Sequence, residues 1–352
     1  MRTPAILVSV STLLACSEDA VVSEQADSHA DESDGSGGAD SAAAASDSAS
    51  PEAADTASVL PPACATWGTD TQVGVVKDDR LNEISGVAAS WRNPDVLWVH
   101  EDHAGYNEIY ALDILGNSLG KITLRLVINN DWEDIAVGPC GDARGADDEV
   151  DSGGSPEEAA ESCIFLGEIG DNDGDRPTHA VYRIPEPEVS LAGGLDIHVK
   201  PDTFAFDWPE KVRNSEALLV TPDGVPVLFT KEYTGAFTDV FTFPTMDAAA
   251  TTTLTQLGTL RTGDDDETGG AATTAADLWP DGSRLVLRTY SHLWEYVLPE
   301  GGLGDIANAS RTAVPYAHER QGESVGYDRV RRGIWHLSED PNPPIWLIPC
   351  AD

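Results

Sequence analysis

The chain has 352 residues, with 61 Asp and Glu against 21 Lys and Arg, for a formal net charge of −40. That length supports a hydrophobic core without staples, and 41% hydrophobic residues is ordinary for a globular protein. So much negative charge repels nucleic-acid phosphates and anionic lipid head groups; it excludes nucleic acid as a partner and favours cations and basic groups.

The N-terminus reads as a targeting segment. Arg2 supplies a positive start, and residues 5–14 form an apolar stretch too short to span a bilayer. It ends in Leu13-Leu14-Ala15-Cys16, which resembles the lipobox of bacterial lipoproteins. That resemblance implies that residues 1–16 are a lipoprotein signal peptide cleaved before Cys16, whose thiol then carries the lipid. Several acyl chains make a stable anchor. Ser17, where Asp would signal retention, implies the outer membrane if the cell is diderm. Membrane contact is expected through this anchor only.

Residues 17–61 are mainly Ser, Ala, Gly, Asp and Glu, without Lys, Arg or aromatic residues. Such a segment cannot bury enough apolar surface to offset its ordering entropy, so it reads as a disordered acidic tether. Residues 141–162 have a similar composition and read as a disordered acidic insertion. Four further cysteines, Cys64, Cys140, Cys163 and Cys350, are free to pair in an exported chain. Of three pairings, position favours Cys140–Cys163, clamping the insertion, and Cys64–Cys350, tying the ends of the folded region. Free buried thiols are the alternative.

From residue 62 to 352 short β-rich runs repeat in one order. The runs are 83–88, 96–102 and 108–113; then 133–137, 164–168 and 180–185; then 216–220, 227–232 and 239–244; then 268–272, 285–290 and 293–299; and last 323–327, 333–339 and 344–349. Residues 121–126 and 253–260 add a fourth run to two of these units. Pro222-Asp223-Gly224 and Pro280-Asp281-Gly282 supply hairpin turns. Four antiparallel strands per repeat describe a propeller blade. The last unit shows three strands before the chain ends, and residues 72–77 can supply its fourth, which leaves no open edge. The expected fold is an all-β propeller of five four-stranded blades closed by the N- and C-terminal strands. A sixth, degenerate blade within residues 187–213 is one alternative; a β-sandwich or two small β domains is another.

The first strand of each blade lines the central channel. Glu83, Glu133, Glu216 and Glu323 open that strand in four repeats, and Thr268, preceded by Glu267, opens it in the fourth. The second strands end in His100, Glu101 and Asp102; Glu168, Asp171, Asn172 and Asp173; Lys231 and Glu232; Arg288; and Ser338, Glu339 and Asp340. Antiparallel pairing puts both sets on one face. Carboxylates gathered there cannot all stay ionised and unpaired. Ca²⁺ can bind them, with Glu83, Glu133, Glu216, Glu323, Glu168, Asp171 and Asn172 as the candidate ligands. A shared proton can serve acid–base catalysis, with Glu133, Glu323 and His100 as candidates. Or Arg288, Lys231 and Arg183 can pair with them as structural bridges.

Other signals are weaker. Asp171-Asn172-Asp173-Gly174-Asp175 has the alternate acids of a calcium loop, but its Gly comes early and no Glu closes it; a plain turn is the other reading. Asp264-Asp265-Asp266-Glu267 reads as a solvated charge run. Trp132 flanks a ligand or belongs to the core. The histidines lack the spacing of a zinc site, and no nucleophile elbow, phosphate loop or dinucleotide fingerprint occurs.

The words Glu83-Ile84-Ser85-Gly86, His100-Glu101-Asp102, Asp131-Trp132-Glu133-Asp134-Ile135-Ala136, Gly167-Glu168-Ile169-Gly170-Asp171-Asn172, Tyr182-Arg183-Ile184-Pro185-Glu186-Pro187, Arg288-Thr289-Tyr290 and Gln321-Gly322-Glu323-Ser324 resemble the SdiA-regulated and esterase-like phytase domain families. The resemblance implies a propeller with a cation or small ligand at the channel mouth. Those families have six or more blades against five here, and the chain is poor in the Lys and Arg that a phosphate-rich substrate needs, so no phytase-type site is carried over. The expected function is that of a monomeric, lipid-anchored cell-envelope propeller binding Ca²⁺ and a small ligand or envelope protein. A metal-assisted phosphoesterase or esterase and a structural envelope domain are the alternatives, which leaves catalysis open.

Overall fold

A computed structural model describes residues 62–141, 162–263, 269–316 and 319–352. The signal segment, the tether, nearly all of the insertion and the 264–267 acidic run lie outside the described residues. No described helix is long and apolar enough to cross a membrane.

After β1 (Thr71–Val75), blade 1 is built from β2 (Ile84–Ala89), β3 (Val96–Glu101), β4 (Glu108–Asp113) and β5 (Ser118–Leu124). Blade 2 contains β6 (Trp132–Pro139), β7 (Ser162–Glu168), β8 (His179–Pro185) and, after β9 (Leu195–Val199), β10 (Asp202–Asp207). Blade 3 contains β11 (Ser215–Val220), β12 (Pro226–Thr230), β13 (Phe237–Thr242) and, after β14 (Thr252–Thr253), β15 (Thr255–Arg261). Blade 4 contains β16 (Thr273–Leu278), β17 (Arg284–Thr289), β18 (Leu293–Val297) and β19 (Ser310–Ala313), the last two joined by a 3-10 helix, Gly302–Asn308. Blade 5 is β20 (Gly322–Asp328), β21 (Gly333–Ser338) and β22 (Pro344–Pro349), with β1 as its fourth strand.

The ring is a five-bladed propeller. Five hydrophobic clusters fill its junctions, one between each pair of neighbouring blades, including blade 5 against blade 1. Inner strands such as β2 and β11 are therefore buried along their whole length and read as unbroken runs, not as polar–apolar alternation. The hairpins between first and second strands turn where expected. Gly224 and Gly282 both have φ of +76°, and their N–H groups donate to Thr221 O (2.9 Å) and Trp279 O (2.8 Å).

Closure follows the sequence reading. β1 pairs antiparallel with β22, and Cys64–Cys350 bridges 286 residues at the same junction. On the chain-entropy account, a loop of that size contributes about 5 kcal/mol. Cys140–Cys163 joins the end of β6 to the start of β7, far from the start of β6.

Residues 187–213 form no sixth blade. β9 crosses to blade 1 and pairs in parallel with β5, and the chain then returns as β10, the fourth strand of blade 2. Gly120 permits the crossing: its φ is +126°, and a Cβ there would strike the Leu195 backbone. The excursion covers an edge that would otherwise be open to another chain, and β14 covers part of β10 in the same manner.

Candidate functional site

Every inner strand carries a bulge at the same height. The irregularities fall between Ile84 and Gly86, Trp132 and Ile135, Ser215 and Ala217, Thr273 and Ala275, and Gly322 and Ser324. A bulge takes a residue out of the ladder and re-aims its side chain. The residues so placed are Ser85, the Glu133–Asp134 pair, Glu216, Thr274 and Glu323.

This register corrects two positions expected from sequence. Glu83 precedes β2, is exposed, and lies 3.0 Å from His103 through Oε2; Ser85 holds the blade 1 position. In blade 4 Thr274 holds it, while Glu267 and Thr268 lie outside the described residues. The bulge, not the first acid of a repeat, fixes the height. The two hydroxyls turn to the neighbouring blade: Ser85 Oγ donates to Glu133 O (2.7 Å) and Thr274 Oγ1 to Gly322 O (3.0 Å).

Beneath the ring, Asp134 reaches across from blade 2 to blades 3 and 4. Its Oδ2 accepts the N–H groups of Leu218 (2.8 Å) and Ala276 (3.2 Å), from blades 3 and 4, and its Oδ1 accepts from Ile135 (2.9 Å). Only a group at the axis reaches both blades. Burial raises its pKa well above the usual carboxylate range, against the pull of the three amides.

Above this floor the acids divide into two halves. On one side Lys231, itself buried, pairs with Glu216, and Asn214 Nδ2 donates to Glu216 Oε1 (3.1 Å). The Lys231 ammonium also lies over the rings of Tyr290 (4.9 Å) and Tyr233 (5.5 Å). Burial works against its charge, but Glu216 and Glu323 outweigh burial and hold it protonated. Glu323 is raised to about 8 by burial, with Lys231 and a hydrogen bond from Tyr290 pulling the other way.

On the other side Asp102, Asp131 and Glu133 each offer an oxygen within 4.8 Å of the others. Glu133 is 3% exposed, yet among the described residues its carboxylate has no hydrogen bond and no ion pair. Asp102 Oδ1 is likewise buried without a partner. Arg176 comes to 3.8 Å of Asp131, but it is engaged by Glu168 and by Gly170 O. Burial, then Glu216, Asp102 and Asp131, raise Glu133 well above its ordinary value, with Lys231 pulling the other way. Burial, then the charges of Asp131 and Glu216, raise Asp102 to about 8. Gly170 closes the side of the cup, since a Cβ there would collide with the Glu133 and Asp131 carboxylates.

Of the seven expected ligands, only Glu133 belongs to this triad. Glu216 and Glu323 share the mouth but face Lys231. Glu168 accepts from Arg176 and from Asn130 N (3.1 Å). Asp171 accepts the N–H groups of Asp175 (3.0 Å) and Arg176 (3.1 Å), which makes its segment an acid-capped turn, with Gly174 at φ of +69°. Asn172 is exposed and accepts from Asn214 (3.0 Å). His100 is fully buried against Gly86 and Ile135, and burial lowers its pKa to about 4, so it stays neutral. Trp132 is a core residue between blades 1 and 2. Of the three expected cations only Lys231 reaches the channel glutamates; Arg183 pairs with Asp202 and Arg288 with Glu319. Sequence reasoning did not single out Asp102 and Asp131 as ligands. The usable signal was local: Asp131 and Glu133 are two apart in sequence, and Asp102 directly follows the second strand of the neighbouring blade.

No protein-family model matches the chain, and no curated protein does. A solved crystal structure of a protein from Lactobacillus plantarum is similar over 72% of this chain and 77% of that one, at 15% identity and a TM-score of 0.36. Likeness at that level carries no activity across, and the fold rests on the strand pairings above.

Proposed function

We propose that the channel mouth binds Ca²⁺ on Asp102, Asp131 and Glu133, and through it a small ligand or an envelope protein. The observation that carries this reading is a buried Glu133 carboxylate that makes no ion pair of its own among the described residues while two further carboxylates converge on it. Carboxylate oxygens suit a hard cation, and Ca²⁺ takes six to eight oxygens. Three from the protein leave places for waters and a ligand. In the same reading, the signal segment, the lipid on Cys16 and residues 17–61 tether the propeller to the envelope, in the outer membrane of a diderm cell. The finer kinship to the SdiA-regulated and esterase-like phytase domain families belongs to this proposal too.

One observation favours a hydrolytic role for the same site. Glu323, raised to about 8 on the facing side of the mouth, is suited to move a proton near neutral pH. Glu133, as a ligand, would not serve as that base.

Isothermal titration of the whole mature chain with Ca²⁺ tests the binding reading. One saturable site lost in Glu133→Gln and kept in Glu216→Gln is expected. Absence of heat and of any chelator-sensitive melting shift in the native chain refutes it.

A further inference from the structure

We infer that the rim of the mouth on blades 1 and 2 docks a protein partner through an apolar segment carrying basic residues. The loop joining β5 to β6 presents Leu126, 84% exposed, and Ile128, 68% exposed, just before the triad residues Asp131 and Glu133. Scattered exposed aliphatic side chains are ordinary on a protein surface. This pair differs in three respects.

First, the loop is held firmly. Buried Asn129 donates through Nδ2 to the carbonyls of Glu101 (3.2 Å), His103 (3.3 Å) and Tyr106 (2.9 Å), and its Oδ1 accepts the Trp132 N–H (3.1 Å). Those bonds lock the loop to the one between β3 and β4, and so bring half-exposed Tyr106 to the same rim. Second, Leu126 has φ of +63°, a left-handed conformation that a side chain adopts only at a cost, and its own burial does not offset that cost. The loop thus spends strain on displaying an aliphatic residue. Third, the ground beside it carries negative charge: exposed Glu83 flanks the loop between β3 and β4 and acts on Glu101, Asp102 and Glu339, in a chain of net charge −40.

These features select the occupant. Small-molecule sites are concave, and two exposed aliphatic side chains on a loop enclose nothing, which favours a macromolecule. A net charge of −40 repels an anionic bilayer, which favours a protein. Charge complementarity then calls for Lys or Arg beside the apolar contact.

The test uses the whole chain and three synthetic peptides of equal length, rich in Leu and Lys, in Leu and Glu, or in Ser and Lys. Fluorescence anisotropy at physiological salt reads the affinity. The Leu–Lys peptide is expected to bind best, and Leu126→Ser combined with Ile128→Ser to weaken it about tenfold, as for a docking hot spot. Leu191→Ser combined with Val330→Ser, exposed on turns away from the mouth, is expected to change nothing. Leu–Lys binding that the rim variant leaves intact overturns the inference. So does rim-dependent binding to phosphatidylethanolamine–phosphatidylglycerol vesicles with no peptide binding, which assigns the rim to lipid. Repeating the series in Glu133→Gln, with Ca²⁺ and with chelator, separates this outcome from the fate of the cation site, because the rim loss is expected in every condition.

Discussion

The two halves of the mouth hold the same kind of residue in opposite states. Glu216 and Glu323 share Lys231, an ammonium fixed between carboxylates and aromatic rings. Asp102, Asp131 and Glu133 converge around no such group: Arg176 stands 3.8 Å from Asp131 but is engaged by Glu168, and Asp102 Oδ1 is buried without a partner. Blades 2, 3 and 5 use the same bulge to aim their glutamates, so the backbone does not account for the difference. It lies in what the second strands deliver: Lys231 after β12, and Asp102 after β3. A buried charge that brings its own counter-ion is finished structure, whereas one that lacks it is completed by a proton or by a cation from outside.

The largest expected effect is on the finished half. Lys231→Met leaves Glu216 and Glu323 buried without their cation, and breaking a buried pair costs about 3 kcal/mol or more. Urea denaturation should report that loss. Adding Glu216→Gln in the same chain should restore most of it, since the second change removes the orphaned charge; the double-mutant cycle measures the coupling. A small loss from Lys231→Met would mean that the two halves are alike after all.

The next effect is on the open half. With Ca²⁺ at about a hundred times its Kd, linkage predicts about 2.7 kcal/mol of added stability, seen as a raised Tm and reversed by chelator. Asp102→Asn and Glu133→Gln should each abolish the shift. Glu216→Gln should keep it, and the contrast between the variants locates the site more sharply than the shift itself.

The ring was legible in the sequence because its signals are local and repeated. Pro222-Asp223-Gly224 and Pro280-Asp281-Gly282 marked turns, and the strands they join recur in a fixed order. The closing strand near residues 72–77 followed from a last unit one strand short. The excursion of β9 was not legible, since a parallel pairing with a strand some seventy residues earlier leaves no local trace beyond Gly120. The mouth was legible only in part. Glu133, Glu216 and Glu323 each sit at a bulge, but Glu83 lies two residues before Ser85, and in an extended chain residues two apart share a side. Nothing short of the strand register distinguishes them. Asp134 looked like one more acid beside Glu133, yet it is the group that ties blade 2 to blades 3 and 4.

The last expected effect is on the pH dependence of the cation-free protein, and the cation's influence on it tells the halves apart. Asp102 is raised to about 8, Glu101 to about 7, and Glu133 well above its ordinary value, each first by burial. A group whose folded pKa exceeds its unfolded pKa binds its proton more tightly when folded. Its contribution is therefore complete below about pH 4 and is lost as pH rises through the folded value. Without Ca²⁺ and with chelator, urea stability should fall between about pH 5 and pH 8. With Ca²⁺ present the cation replaces the protons, so the slope should flatten over the same window, and binding should release protons, which titration in buffers of different ionisation enthalpy detects. Lys231 keeps its charge throughout and adds no slope there, but Glu323 beside it, raised to about 8, adds a fall of the same sign that a cation on the other half does not remove. In Glu133→Gln the chelated protein should show a shallower fall than the native chain. A slope that Ca²⁺ leaves unchanged would place the titrating carboxylates away from the cation, and would move the binding site off the blade 1–2 half of the mouth.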